Sequence, residues 1–163
     1  DVLQGNSELG LCSNLSPDDP ALCSLERRVI HKEPVGLIVG KNHPFAHRSV
    51  VPVEDLRDER FIVYIRSFRG TNQMLYDLCA PYGFEPNIVM EAYNDYGVLN
   101  SVASGDGIAI IPTTRFLERP DVVRIPLDLK EPLMRDLTLV WRKNEKLPPA
   151  AAAFRDMLIS TAQ

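Results

Sequence analysis

The sequence predicts an α/β protein in which short buried strands alternate with amphipathic helices on parallel or mixed sheets. Between residues 61 and 111, three apolar runs (61–65, 87–92 and 108–111) are separated by two stretches whose apolar residues recur at helical spacing. Glycines and capping residues stand where the periodicity changes: Gly83 and Gly105 after the helical stretches, Asn94 and Asp95 before the second. Strand, helix, strand, helix, strand is the order of a parallel sheet with right-handed crossovers. Further apolar strands at 35–39 and 137–141 enclose this unit in sequence. Two lobes follow: a discontinuous lobe I from residues 1–43 and 128–163, and a central lobe II from 44–127.

Taken in order, residues 1–6 read as the end of a helix stopped at Gly5. A short strand at 9–12 leads into turn chemistry at 13–20. Residues 23–31 are mixed, and 35–39 form an apolar strand of the kind buried on both faces. Lys41-Asn-His-Pro44 breaks it, and 51–56 read as a helical turn leading into the strand at 61–65. A helix at 71–82, a strand at 87–92, a helix that Asn94 or Asp95 caps and Gly105 stops, and a strand at 108–111 follow. Thr113 or Thr114 caps one more short helix through Leu117. Residues 121–127 are extended around Pro126. After the strand at 137–141, Pro148-Pro149 opens a last helix with Phe154, Met157 and Leu158 on its apolar face.

The totals bound the function. A chain of 163 residues can bury a real core. Its net charge of −4, without a lysine or arginine cluster, makes it by itself a poor candidate for binding nucleic acid. No apolar run approaches the ~18 residues of a membrane span, and the N-terminus lacks a basic and apolar signal sequence. The first residue is not methionine, so the chain is expected to be cut from a longer one. Three cysteines, Cys12, Cys23 and Cys79, without a C-x-x-C pair argue against a disulfide framework or a zinc site. Reduced thiols in a cytoplasmic protein are expected; a redox pair of Cys12 with Cys23 is the sharper alternative. No cofactor or metal is expected. His31, His43 and His47 follow no nucleophile motif, and no G-x-S-x-G, Walker or H-E-x-x-H pattern is present, so no enzyme is expected.

Ligands of open parallel sheets sit beyond the carboxyl ends of the strands. There the chain places Arg66, Ser67, Phe68, Arg69, Gly70 and Thr71 after the first strand of the alternating unit. It adds Tyr93, Asn94 and Asp95 after the second and Thr113 with Thr114 after the third, while the strand at 9–12 delivers Cys12, Ser13 and Asn14. Hydroxyl and amide groups, two guanidinium forks and a helix start suit a small carboxylate or inorganic anion. The plainer alternative is that Arg66 and Arg69 are solvated and that Thr71, Asn94 and Thr113 only cap helices.

Several segments carry a resemblance. Ser7-Glu-Leu-Gly-Leu11, Val35-Gly-Leu-Ile-Val-Gly-Lys-Asn-His-Pro-Phe-Ala46, Val53-Glu-Asp-Leu56 with Phe61-Ile-Val-Tyr64, Ser101-Val-Ala-Ser-Gly-Asp-Gly-Ile-Ala-Ile-Ile-Pro112 and Leu137-Thr-Leu-Val-Trp-Arg142 follow one another at characteristic spacing. In that order they resemble the effector-binding domain of LysR-type transcriptional regulators, over nearly the whole chain. The resemblance implies a two-lobed fold of the type 2 periplasmic-binding-protein kind, with a small-molecule coinducer in a cleft. It also implies a winged helix-turn-helix elsewhere in the polypeptide that contacts DNA, and homodimers or homotetramers. By position, Ser13 and the loop Ser67, Phe68, Arg69, Gly70 and Thr71 correspond to family effector contacts. Relative to that pattern the chain lacks the first strand and helix of the first lobe, which is therefore expected to be incomplete. The other reading of such a fold is a solute receptor that feeds a transporter.

Overall fold

The computed structural model describes residues 1–13, 20–65, 69–113 and 119–162. The chain forms two compact units, Asp1–Glu33 with Arg135–Gln163, and Pro34–Met134. The sequence reading placed these borders at 43/44 and 127/128. In the structure the change of unit falls along two strands, β2 (Leu25–Gly40) and β7 (Met134–Arg142), rather than in the polar segments beyond them.

The second unit contains the alternating segment: β3 (Arg60–Tyr64), α1 (Arg69–Cys79), β4 (Asn87–Ala92), α2 (Asp95–Ser104) and β5 (Ala109–Pro112). β3 and β4 are parallel, with Arg60 opposite Asn87 and Tyr64 opposite Ala92. On its other side β3 meets Ile108 through a parallel bridge, in which Ile108 N–H donates to Arg60 O at 2.7 Å and Ile62 N–H to Ile108 O at 2.8 Å. β5 and β6 (Val122–Ile125) then pair antiparallel with the second half of β2. The sheets are therefore mixed.

Because successive strand residues point to opposite faces, β3 feeds two cores. Phe61 and Val63 join Leu37, Val39, Ile108 and Ile110 under Leu75, Leu78 and Cys79 of α1. Ile62 and Tyr64 join Ile38, Ala109 and Ile111 under Val98, Leu99 and Val102 of α2. Burying each large side chain is worth about 1.5–3 kcal/mol, and a one-residue slip would exchange the two faces, so the register is fixed. α1 ends at Cys79 and not at 82 because Pro81 cannot continue it; a 3-10 turn, Ala80–Tyr82, closes at Gly83 (φ 71°). Gly105 (φ 84°) ends α2, and a Cβ on Gly107 would lie 2.4 Å from the Arg60 carbonyl oxygen. Close backbone approach thus explains the second glycine of Gly105-Asp-Gly107. The segment expected to be helical at 51–56 is a 3-10 turn, Val53–Leu56, and the polar break after β2 is a turn at Pro44–His47 capped by His43 Nδ1, which accepts from Phe45 N–H at 3.2 Å.

In the first unit β1 (Leu9–Ser13) lies antiparallel to β7, with Leu9 opposite Trp141 and Ser13 opposite Leu137, and β7 is hydrogen-bonded to β2 on its other side. Residues 25–33 belong to one long strand, where the sequence reading saw a mixed segment before a separate strand. The apolar alternation is missing because residues 26–29, 31 and 32 are exposed, so the backbone ladder holds this half. Val2, Leu22, Leu25 and Val140 make a small core. At the start, Asn6 N–H bonds Asp1 O (3.0 Å) and Gly5 N–H bonds Val2 O (3.2 Å), with Gly5 at φ 78°. This is the hydrogen-bond pattern that closes a helix. α3 (Pro149–Thr161) buries none of its residues: Phe154 is 48% and Met157 52% exposed, and among the described residues the apolar face expected there has no core beneath it. Its Ala150-Ala-Ala-Ala153 run favours helix without adding much area to bury, and Arg155 stacks over Trp141. The turn expected at 14–19 and the short helix expected over 114–117 lie outside the described residues.

One ion pair of this unit is buried. The Arg135 guanidinium donates to Glu33, with residue exposures of 8% and 4%. Burial holds the Arg135 pKa below its ordinary value, and Nε has no partner among the described residues. Removing one member of such a pair strands the other charge. Glu33→Gln is accordingly expected to lower stability by about 3–5 kcal/mol in urea unfolding. Lys32→Ala, at an exposed 3.6 Å pair with Asp136, should change it by less than about 1 kcal/mol.

Candidate functional site

In a parallel βαβ unit every helix begins where a strand ends, so the carboxyl ends of β3 and β4 collect the starts of α1 and α2. The hydrogen bonds at this end tie the four elements together. Tyr64, the last residue of β3, is buried, and its hydroxyl donates to Asp95 Oδ1 at the start of α2. The Tyr64 carbonyl accepts from Asn72 Nδ2 in the first turns of α1 at 2.8 Å. Ile65 N–H donates to Ala92 O at 3.0 Å. Asn94 is the N-cap of α2, extended at φ −157°, and its Oδ1 accepts from Gly97 N–H at 2.9 Å.

The two helix starts differ in charge. α2 carries its own acid, Asp95, in the first turn, where the carboxylate interacts favourably with the positive end of the helix dipole. α1 has no acid in its first turn, and its first N–H groups lack partners within the helix. That is the arrangement that accepts an anion.

The site residues read from the sequence are distributed as follows. Arg66, Ser67 and Phe68 lie outside the described residues. Arg69, Gly70 and Thr71 are the opening residues of α1; their side chains also lie outside what is described. Asn94 stands at the same end as a cap, exposed, and its amide nitrogen makes no hydrogen bond among the described residues. Thr113 follows β5 and is 5% exposed, with its hydroxyl donating to Pro34 O at 2.9 Å and its N–H to the same oxygen at 2.8 Å. Ser13, half-buried, ends β1 in the other unit. Tyr64 and Asn72 went unremarked in the sequence. The available signal was a strand ending in a tyrosine, whose apolar ring and polar tip suit a core-to-site junction.

Arg119 forks onto Asp121 (2.9 and 2.6 Å) and reaches Asn100 Oδ1 at 2.7 Å, and the Arg119 guanidinium holds the Asp121 carboxyl below the usual carboxylate range. A pocket of about 500 Å³ lies instead along the later part of α1, lined by Gln73, Tyr76, Asp77, Phe84 and Glu85 among others. Its carboxylates have the wrong sign for an anion. The thiols differ in access: Cys23 is exposed, Cys12 half-buried, and burial pushes the Cys79 thiol up to about 11.

The fold is a two-unit α/β arrangement of the periplasmic-binding-protein type. The LysR substrate binding domain model matches residues 2–163, and the chain belongs to that family. It is a LysR-type effector-binding domain. Among relatives, the transcriptional dual regulator GltC of Bacillus subtilis (strain 168) is 26% identical over 147 residues, 89% of this chain and 48% of that protein. The chain spans about half the length of the first relatives it matches. The effector-binding domain of QuiR in complex with shikimate superposes with a TM-score of 0.87 at 22% identity, covering 99% of this chain and 75% of that one. The Synechocystis PCC6803 CcmR regulatory domain in complex with 2-PG gives 0.84 at 19%, covering 99% and 76%. The family is one of transcriptional regulators rather than enzymes, and a transporter receptor is not favoured.

Two outcomes check the local reading. Asn94→Ala, which removes the cap of α2, is expected to lower stability by about 1 kcal/mol in thermal unfolding. In thiol labelling at pH 8, Cys23 should react first and Cys79 only as the chain opens.

Proposed function

We propose that this domain senses a small anionic coinducer, a carboxylate or an inorganic anion, at the carboxyl end of the parallel strands of its second unit. The observation that carries the reading is the hydrogen-bonded meeting of β3, β4, α1 and α2 at Tyr64, Asn72 and Asp95 beside a helix start without an acid. Arg66, Ser67, Phe68, Arg69, Gly70 and Thr71 surround that start in sequence, and Asn94 offers its amide from α2. Thr113 joins the proposed contact set as an acceptor for a ligand hydroxyl, its own proton being given to the Pro34 carbonyl. Shikimate, the ligand of the QuiR domain, carries one carboxylate and three hydroxyls, which fits such donors. Hydrogen bonds to a charged group are worth roughly 1.5–3 kcal/mol each. Two or three supply about 3–9 kcal/mol, enough to approach the roughly 8 kcal/mol of a micromolar complex.

Binding regulates only if the ligand prefers one of two arrangements. The reading places a winged helix-turn-helix in the same polypeptide, in the cytoplasm, and has the ligand change the geometry of a DNA-bound homodimer or homotetramer without an enzymatic step. Self-association is supported by exposed apolar residues on β4, which has no strand on its outer side among the described residues: Val89 is 46% and Met90 39% exposed, with Tyr76 of α1 at 39%. An open apolar edge invites pairing unless a second chain covers it.

Calorimetry with shikimate and a panel of small carboxylates tests the site. Arg69→Ala is expected to weaken the bound member by about 10- to 100-fold, or 1.4–2.8 kcal/mol, and Arg66→Ala by less; unchanged affinity in both rejects the anion site. Val89→Asp should shift sedimentation toward the monomer, and an unaltered profile removes β4 from the interface.

A further inference from the structure

The strands along which the chain passes from one unit to the other, β2 and β7, meet with their charges in a fixed order. Val35 N–H donates to Leu133 O at 2.8 Å and Lys143 N–H to Ser24 O at 2.8 Å, so the two run antiparallel. Counting back from Val35 puts Glu33 opposite Arg135 and Lys32 opposite Asp136. Both pairs are formed, the first buried and the second exposed at 3.6 Å. Apolar residues do little to set this register. In β2, residues 26–29, 31 and 32 are exposed, and in β7 Thr138, Leu139 and Val140 are buried in succession, so neither strand offers a clean alternation of faces.

We propose that Lys32-Glu33 set against Arg135-Asp136 is a register lock on the two strands that join the units. β5 and β6 hold the second half of β2, and every short displacement of β7 along it meets a charge. Moving β7 by one residue exchanges its two faces. In one direction Asp136 then stands opposite Glu33 on the buried face; in the other Arg135 stands opposite Lys32, and Glu33 is left facing Met134. Like charges directly opposite each other are destabilising. Moving by two residues keeps the faces but separates Glu33 from Arg135, which strands two buried charges. The buried pair thus excludes even displacements, and the order of signs excludes odd ones. Nothing in this lock depends on where a ligand binds.

Exchanging the exposed pair, Lys32→Asp with Asp136→Lys, isolates the order of signs. It keeps opposite charges at both native pairs and leaves the buried pair untouched, yet gives either one-residue displacement an opposite-charge pair. The test is the backbone amide spectrum of the isotope-labelled full-length protein after refolding from urea. The wild type is expected to show one set of resonances over β7, with cross-strand contacts from Val35 to Leu133. The exchanged variant should add a second set, in which Val35 contacts Pro132 or Met134 instead. Lys32→Ala with Asp136→Ala, which removes the exposed charges without reversing them, should keep the single set because Glu33 and Arg135 still pair. A single native set in the exchanged variant overturns the inference, as does a second set in the double-alanine variant.

Discussion

Burial on both faces of β3 is the constraint from which the second unit follows. Phe61 and Val63 require a cover on one side, Ile62 and Tyr64 on the other, and the cover is a helix in each case. A helix that connects two parallel strands starts where the first strand ends, so two helix starts and two strand ends are brought to the same edge whatever the loops contain. Tyr64 shows how closely core and site are joined. Its ring packs against Val98 and Ala92 while its hydroxyl and carbonyl reach Asp95 and Asn72. In the proposed site, a ligand at these loops would meet residues whose other atoms lie in the core.

Charge is distributed unevenly around that edge. Asn94 and Asp95 satisfy α2 from within its own sequence, whereas α1 opens on arginine, glycine and threonine without an acid. Arg119 is held by Asp121 and Asn100, and the pocket along α1 carries Asp77 and Glu85. The start of α1 is thus a helix start with no acid in its first turn. The first unit follows another logic: its buried Glu33–Arg135 pair and the Arg142 bonds to Val2 and Ser7 carbonyls hold strands and chain start together where the apolar core is small.

Much of this was legible in the residues. The strand at 87–92, the cap at Asn94, and the stops at Gly83 and Gly105 stand where the turn and capping chemistry put them, because those signals are local. The long β2 was not legible over residues 26–32, where exposed charged side chains hide a strand held by its backbone partners. The exposed apolar side of α3 could not be foreseen either, since helical spacing shows that a face exists and not what covers it. The Tyr64 clamp depends on contacts 31 and 8 residues apart, beyond any local periodicity. Family membership was legible from ordered segments, none of them diagnostic alone, and residues 2–163 match as a whole.

The central claim is that a small anion is held where α1 and α2 begin. The most direct measurement is the backbone amide spectrum of the isotope-labelled protein during titration with shikimate. The account predicts saturable shifts at Gly70, Thr71 and Asn72 and at residues 94–97, with little change at Tyr76, Phe84 and Glu85. Saturable shifts centred on the pocket along α1, or none at either place, would contradict it.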